Sequence, residues 1–190
     1  MKGVDRESYE EEDAYTKVLY WFFAYPTKEV SLNNLVEAVN ISKTSANKAV
    51  RRLVEEGFLR LKQLGRLWRI TCNQEHEYNL TRKIPFNLQT VYQAGILEEV
   101  RKRIPNPRAV VLFGSYRKGD DTEESDIDIA AEVMDDEDLR ILELGVLTTL
   151  GFRENVPVNL HVFSRNHVDL NLFANIANGI VLEGFLEVQP

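Results

Sequence analysis

One short stretch limits the folds open to this chain more than any other. An unbroken apolar run, Ala109-Val110-Val111-Leu112-Phe113, meets Gly114-Ser115 without a spacer. A run of that length, rich in β-branched residues, reads as a buried strand. The glycine then permits unusual dihedrals and close approach of a ligand to the backbone. A polar loop from Tyr116 to Glu124 leads into Ser125-Asp126-Ile127-Asp128-Ile129-Ala130, which opens a second strand. Residues two apart on a strand share a face, so Asp126 and Asp128 project together while Ile127 and Ile129 enter the core. Two aligned carboxylates repel one another unless a cation lies between them. Oxygen ligands of this kind suit Mg²⁺ or Mn²⁺ held together with nucleotide phosphates. Ser115 offers a hydroxyl and a backbone amide to phosphate, and Arg117 and Lys118 make the loop basic. The residues thus describe a phosphate-and-metal site: the step Gly114-Ser115, a basic loop in Arg117 and Lys118, then the carboxylate pair Asp126 and Asp128.

The string Gly114-Ser115 … Gly119 … Ser125-Asp126-Ile127-Asp128 resembles the signature of the DNA polymerase beta-like nucleotidyltransferase superfamily, in particular its small prokaryotic stand-alone branch. The resemblance covers residues 104–190 and implies an α/β (α+β) domain with a mixed sheet. It implies that Gly114 and Ser115 hold the β and γ phosphates and that Asp126 and Asp128 bind two divalent metals. An acceptor hydroxyl would attack the α-phosphate of a nucleoside triphosphate, expected to be ATP, and release pyrophosphate. The family's third carboxylate lies on a neighbouring strand in an apolar-Asp-apolar setting. The matching stretch here is Val156-Pro157-Val158-Asn159-Leu160-His161-Val162-Phe163, which puts Asn159 where the acid is expected. An asparagine adds no negative charge and cannot take a proton from an attacking hydroxyl. Three alternatives stay open: catalysis with another base, His161 on the same strand face being the nearest; nucleotide binding without turnover; or a third ligand, such as Glu154, supplied from the loop.

Further along, Asp135-Asp136-Glu137-Asp138 reads as acid at a helix start, where the helix dipole favours it. Leu139, Ile141, Leu142, Leu144, Val146 and Leu147 follow as mostly core residues. Val168 to Ala177 reads as one or two helical turns and Gly179 to Leu186 as a closing element.

Residues 14–72 have a different character. Ala14 to Tyr25 forms a helix with a broad apolar face, ended by Pro26. Ser31 caps a second helix carrying Leu32, Leu35, Val36 and Val39 at helical spacing. A third helix begins near Ser42 or Thr44, turns Ala46, Ala49, Val50 and Leu53 inward, and stops at Gly57. Its outward face carries Lys43, Thr44, Ser45, Asn47, Lys48, Arg51 and Arg52, residue types that serve phosphates and base edges. Arg51 could equally pair with Glu55 on the same face. Phe58 to Lys62 and Leu67 to Ile70 form a hairpin around a turn at Gln63 to Arg66, with Lys62, Arg66 and Arg69 able to touch phosphate. This order, with Ser42-Lys43-Thr44-Ser45-Ala46 and Leu53-Val54-Glu55-Glu56-Gly57-Phe58-Leu59, resembles the winged helix-turn-helix regulators of bacteria and archaea. Residues 73–103 read as a polar linker to Pro85, holding His76, and then one connecting helix from Phe86 to Arg103 despite Gly95. The expected architecture is therefore two domains, a mainly α winged helix followed by the α/β domain.

Charge follows the same division. Residues 14–72 carry a net +6 and residues 104–190 a net −10, within a total of −7. A positive segment can face nucleic acid even in an acidic protein. The single cysteine, Cys72, allows no intrachain disulfide and fits a reducing cytoplasm. No stretch approaches the length of a membrane span, and the acidic start, Met1 to Asp13, lacks a signal-peptide layout. Double-stranded DNA is the expected partner, and winged-helix regulators commonly bind it as homodimers. The nucleotidyltransferase resemblance adds an antitoxin role, with AMP transfer to an all-helical toxin partner. The competing class is a transcriptional regulator whose second domain senses nucleotide or a partner protein.

Overall fold

The computed structural model describes residues 6–65, 67–134 and 138–188. Arg66, Asp135 to Glu137 and the first part of the acidic start, residues 1–5, lie outside the described residues. The chain divides into two compact units, Met1–Asn79 and Leu80–Pro190.

The first unit contains three helices, α1 (Arg6–Ala24), α2 (Leu32–Val39) and α3 (Lys43–Glu55), then a hairpin of β1 (Leu59–Leu64) and β2 (Leu67–Cys72). Ser31 and Ser42 cap α2 and α3, their hydroxyls accepting from the amides of Asn34 and Ser45. Each cap satisfies an amide that has no partner inside its helix. Gly57 takes φ +85 just beyond α3, a conformation that ends a helix at little cost to glycine. Helix α1 starts earlier than the apolar pattern suggests, because no glycine or proline interrupts the chain from Arg6 onward. Phe22, Leu35, Val50, Leu53, Phe58 and Ile70 are fully buried and form the core. Ala46 and Ala49 are buried too, and their small side chains let α3 lie close to its neighbours. Val30 pairs with Ile70 through two backbone hydrogen bonds of 3.0 and 2.9 Å, a single-residue bridge on the edge of the hairpin.

A single-turn helix, α4 (Tyr78–Thr81), precedes the second unit's α5 (Lys83–Gln93) and α6 (Ile96–Arg103). Here the structure corrects the single connecting helix expected over Phe86–Arg103. Gly95 at φ +71 breaks it in two. Pro85 lies inside the first turn of α5, where its missing N–H would have had no partner anyway.

The sheet is built from β3 (Ala109–Phe113), β4 (Ile127–Glu132), β5 (Arg140–Leu150), β6 (Arg153–Phe163) and β7 (Ile180–Gly184), with α7 (Gly114–Lys118) after β3 and α8 (Leu170–Ala177) before β7. The strand order is β5-β6-β4-β3-β7, antiparallel except for the parallel pair β4–β6. The sheet is therefore mixed, as expected. One face carries Val110, Leu112, Ile127, Ile129, Val158, Leu160 and Val162 against Val91, Ile96 and Val100 of α5 and α6. The other packs Ala109, Val111, Phe113, Ala130 and Phe163 against Ile176 of α8. Apolar residues on both faces explain why β3 is an unbroken apolar run.

A second correction concerns Arg140–Leu150. The helix expected after Asp135–Asp138 is an edge strand, β5, joined to β6 as an antiparallel hairpin. Ile141 and Val146 are exposed rather than core. The reason is pairing: Leu142, Leu144 and Leu147 bury one face against β6, and the residues between them point away. Among the described residues no helix is long and apolar enough to cross a membrane.

Candidate active site and basic helix face

The chain turns from β3 into α7 at Gly114, which has φ +72. A Cβ at this position would lie 2.6 Å from Oδ2 of Asp128. Two independent constraints thus select glycine: a left-handed backbone and a carboxylate occupying the space of a side chain. Asp128 lies directly across from Phe113 on β3 and from Asn159 on β6. Asp126 precedes the first residue of β4 rather than lying within it. The amide Nδ2 of Asn159 donates to Oδ2 of Asp126 at 2.5 Å. Nε2 of His161 lies 3.3 Å from Oδ1 of Asp128. The structure thus brings Gly114, Asp126, Asp128, Asn159 and His161 to one end of the sheet, with Ser115 next to Gly114.

His161 is held in a particular way. Its ring meets Phe113 edge-on at 5.0 Å, and its Nδ1 is buried without a hydrogen-bond partner. A proton on Nε2, directed at Asp128, leaves the bare lone pair on the buried Nδ1. In that tautomer the ring donates to Asp128 and has no accessible nitrogen with which to accept a substrate proton. Glu154 is a strand residue of β6, not a loop residue, and pairs with Thr149 five positions before Asn159. Arg117 and Lys118 form the last turn of α7, with Lys118 exposed.

The loop before Asp126 is anchored by buried polar residues that sequence reasoning missed. Nζ of Lys83 donates to the carbonyl of Asp121 and lies 3.2 Å from its Oδ1. Nδ2 of Asn87 donates to Oδ1 of Asp121 at 2.7 Å and to the carbonyl of Tyr116 at 3.0 Å. Arg153 donates to the Tyr116 hydroxyl and to the carbonyls of Glu123 and Ser125. Lys83 and Asp121 are 1% and 3% exposed, so the pair is a true interior one. Burial pushes the Asp121 carboxyl above its usual range, with Lys83 and then Asn87 acting against that shift. Burial likewise raises the Tyr116 phenol, opposed by the Arg153 charge. The one sequence signal was the stripe Lys83, Asn87, Val91 at four-residue spacing, with polar members on a buried helix face.

Two carboxylates with partial exposure, one glycine backbone and a neighbouring hydroxyl fit a cation shared with a ligand's phosphates. Magnesium is commonly held by one or two carboxylates plus substrate oxygens rather than by an all-protein cage. Among the described residues no cluster of three or more His, Cys, Asp or Glu stands ready to hold a metal.

On α3, Lys43, Thr44, Lys48 and Arg51 are exposed, as is Lys62 on β1. Arg51 does not pair with Glu55. Its Nε donates to Oδ1 of Asn47 at 2.8 Å, and its guanidinium lies 5.1 Å from the Trp68 ring centroid. Ser45 shares the cap of α3 with Ser42, their hydroxyl oxygens 2.9 Å apart. Arg52 is drawn away, with Nε 3.1 Å from Glu56 and its guanidinium 4.2 Å from the Tyr15 ring. Arg69 pairs with Glu29 at 3.2 Å.

No curated protein matches the chain in sequence. Residues 94–176, a span that includes Gly114, Asp126, Asp128, Asn159 and His161, match the family model of the nucleotidyltransferase domain, which supports a place for this part of the chain in the nucleotidyltransferase superfamily.

Proposed function

We propose that the second unit transfers a nucleoside monophosphate from a nucleoside triphosphate, ATP being the first to test, to a hydroxyl, using Mg²⁺ or Mn²⁺ at Asp126 and Asp128. The observation that carries this reading is the fit of Asp128 into the space left by Gly114. It places a carboxylate against a turn whose backbone can approach phosphate closely. In this account Gly114 and Ser115 position the terminal phosphates, and Arg117 and Lys118 offset their charge. Asn159 and His161 fix the orientations of Asp126 and Asp128. The divalent cation would polarise the α-phosphate and offset charge developing on the leaving pyrophosphate. The first unit would act as a winged helix on double-stranded DNA through α3. The all-helical protein partner and the homodimer belong to the same proposal, as in an antitoxin that represses its own operon.

The direct test is to incubate the full chain with Mg²⁺ and ATP labelled at the α-phosphate. Labelled protein or labelled AMP is the expected product. Loss of that product in Asp126→Asn and Asp128→Asn supports the assignment, and unchanged product in both variants rejects it. A second reading has its own observation. Asn159 stands at the expected third acid and donates to Asp126, which favours a DNA-binding regulator that holds nucleotide without turning it over. Retention of ATP in those conditions with no product would select that reading.

A further inference from the structure

The register of β5 on β6 places an acid beside the position where one is missing. Glu143 pairs directly with Asn159, and Asn159 pairs with Asp128. The three residues form one row across three adjacent strands, on the sheet face that holds the candidate site. The face is fixed independently: Leu142 and Leu144 flank Glu143 and both pack into the opposite core. A register shift follows immediately, between Glu143 and Gly145. Such irregularities re-aim side chains and are common beside active sites. Glu143 is exposed, and its side chain makes no hydrogen bond or ion pair with the described residues. Three other acids of this unit are held in ion pairs: Asp121 with Lys83, Glu132 with Arg165, and Glu183 with Arg101.

We infer that Glu143 is the proton acceptor of the transfer reaction, an inference that rests on the nucleotidyl-transfer reading above. Directly opposed side chains on an antiparallel pair start about 5 Å apart at Cβ. Two strand spacings separate Glu143 from Asp128 by about 10 Å, with Asn159 on the strand between them. The hydroxyl oxygen of the acceptor forms a bond to the α-phosphorus of the nucleoside triphosphate. The bond from that phosphorus to the bridging oxygen breaks, and pyrophosphate leaves with the electron pair. The hydroxyl proton passes to a carboxylate oxygen of Glu143. Asn159 cannot perform that step, and His161 turns its Nε2 toward Asp128 while its Nδ1 is buried. The longer glutamate side chain on the next strand compensates for an aspartate that is absent one strand nearer.

The test compares the wild-type chain with Glu143→Gln, Asn159→Asp and the double variant. Pyrophosphate release from Mg²⁺–ATP is measured with water and the chain's own hydroxyls as acceptors. Binding of Mn²⁺ with a non-hydrolysable ATP analogue, and the melting temperature, are measured in parallel. General-base removal costs about 10²–10⁴-fold in rate. Glu143→Gln is therefore expected to lower kcat by at least about 100-fold, with analogue binding and melting unchanged. Asn159→Asp in that background is expected to restore turnover, because it returns a carboxylate to the row. Wild-type turnover in Glu143→Gln overturns the inference, as does a wild-type chain that binds the analogue but releases pyrophosphate only once Asn159→Asp is introduced. If the wild type and all the variants neither bind the analogue nor turn over, the transfer reading itself fails, and the role of Glu143 with it.

Discussion

Gly114 shows how one residue couples backbone and chemistry. Its φ of +72 alone makes a side chain costly, by about 1–3 kcal/mol for a non-glycine residue in such a region. The space it leaves is filled by Asp128. Gly114→Ala is therefore expected to do two separable things: lower stability by about 1–3 kcal/mol in urea unfolding, and displace Asp128 so that nucleotide affinity falls by more than the stability change explains. Equal affinity in folded Gly114→Ala protein would detach Asp128 from the nucleotide. Lys83 acts from behind the site. Replacing it with methionine leaves a buried carboxylate without its cation, a loss of about 3–5 kcal/mol. The sign of the pH dependence follows from the raised Asp121 carboxyl. A carboxyl with a folded-state pKa above its unfolded one favours folding when protonated. That contribution is complete below the unfolded pKa and is lost as pH rises through the folded one. Without Lys83 the carboxyl rises further. The melting temperature of Lys83→Met should thus recover toward wild type as pH falls from 7 to 5, whereas a deficit constant over that range would show that Asp121 is not the charge being exposed.

Elements differ in how far the sequence discloses them. Helix α3 was legible residue by residue: Ser42 caps it, four apolar residues at helical spacing bury one side, and Gly57 ends it. Those signals are local. Strand β5 was not legible, because the acids at Asp135–Asp138 suggest a helix start while the strand exists through its pairing with β6, which local patterning does not encode. Misreading β5 also hid Glu143, since a helix would have placed it in no relation to Asn159. The carboxylate pair and the glycine-serine step were legible because they are close in sequence. Lys83, Asn87 and Arg153 were not, because they reach the loop at Asp121–Ser125 from α5 and β6. On α3, Lys48, Arg51 and Arg52 are all exposed; Arg51 bonds the neutral Asn47 and lies over Trp68, whereas Arg52 is ion-paired with Glu56. Lys48→Ala and Arg51→Ala should each weaken DNA binding in a salt titration and reduce the salt slope by about one for each phosphate left without its cation. Arg52→Ala should instead act through helix stability. Identical slopes for all three variants and the parent would remove α3 from the DNA interface.

At the scale of the whole molecule, the first unit carries a basic segment at residues 14–72, whereas the second unit is acidic. On the proposed reading, the carboxylates Asp126 and Asp128 would meet a polyanionic nucleotide, and a cation would have to offset the two negative charges. Binding of nucleotide should therefore depend on divalent metal far more steeply than general ionic strength explains. The decisive measurement is equilibrium binding of a non-hydrolysable ATP analogue to the full chain, with Mn²⁺ and with chelator, for wild type and for Asp126→Asn/Asp128→Asn. Saturable binding that requires Mn²⁺ and is lost in the double variant is the predicted result. Binding that is indifferent to metal, or that survives loss of both carboxylates, would contradict the assignment of this site.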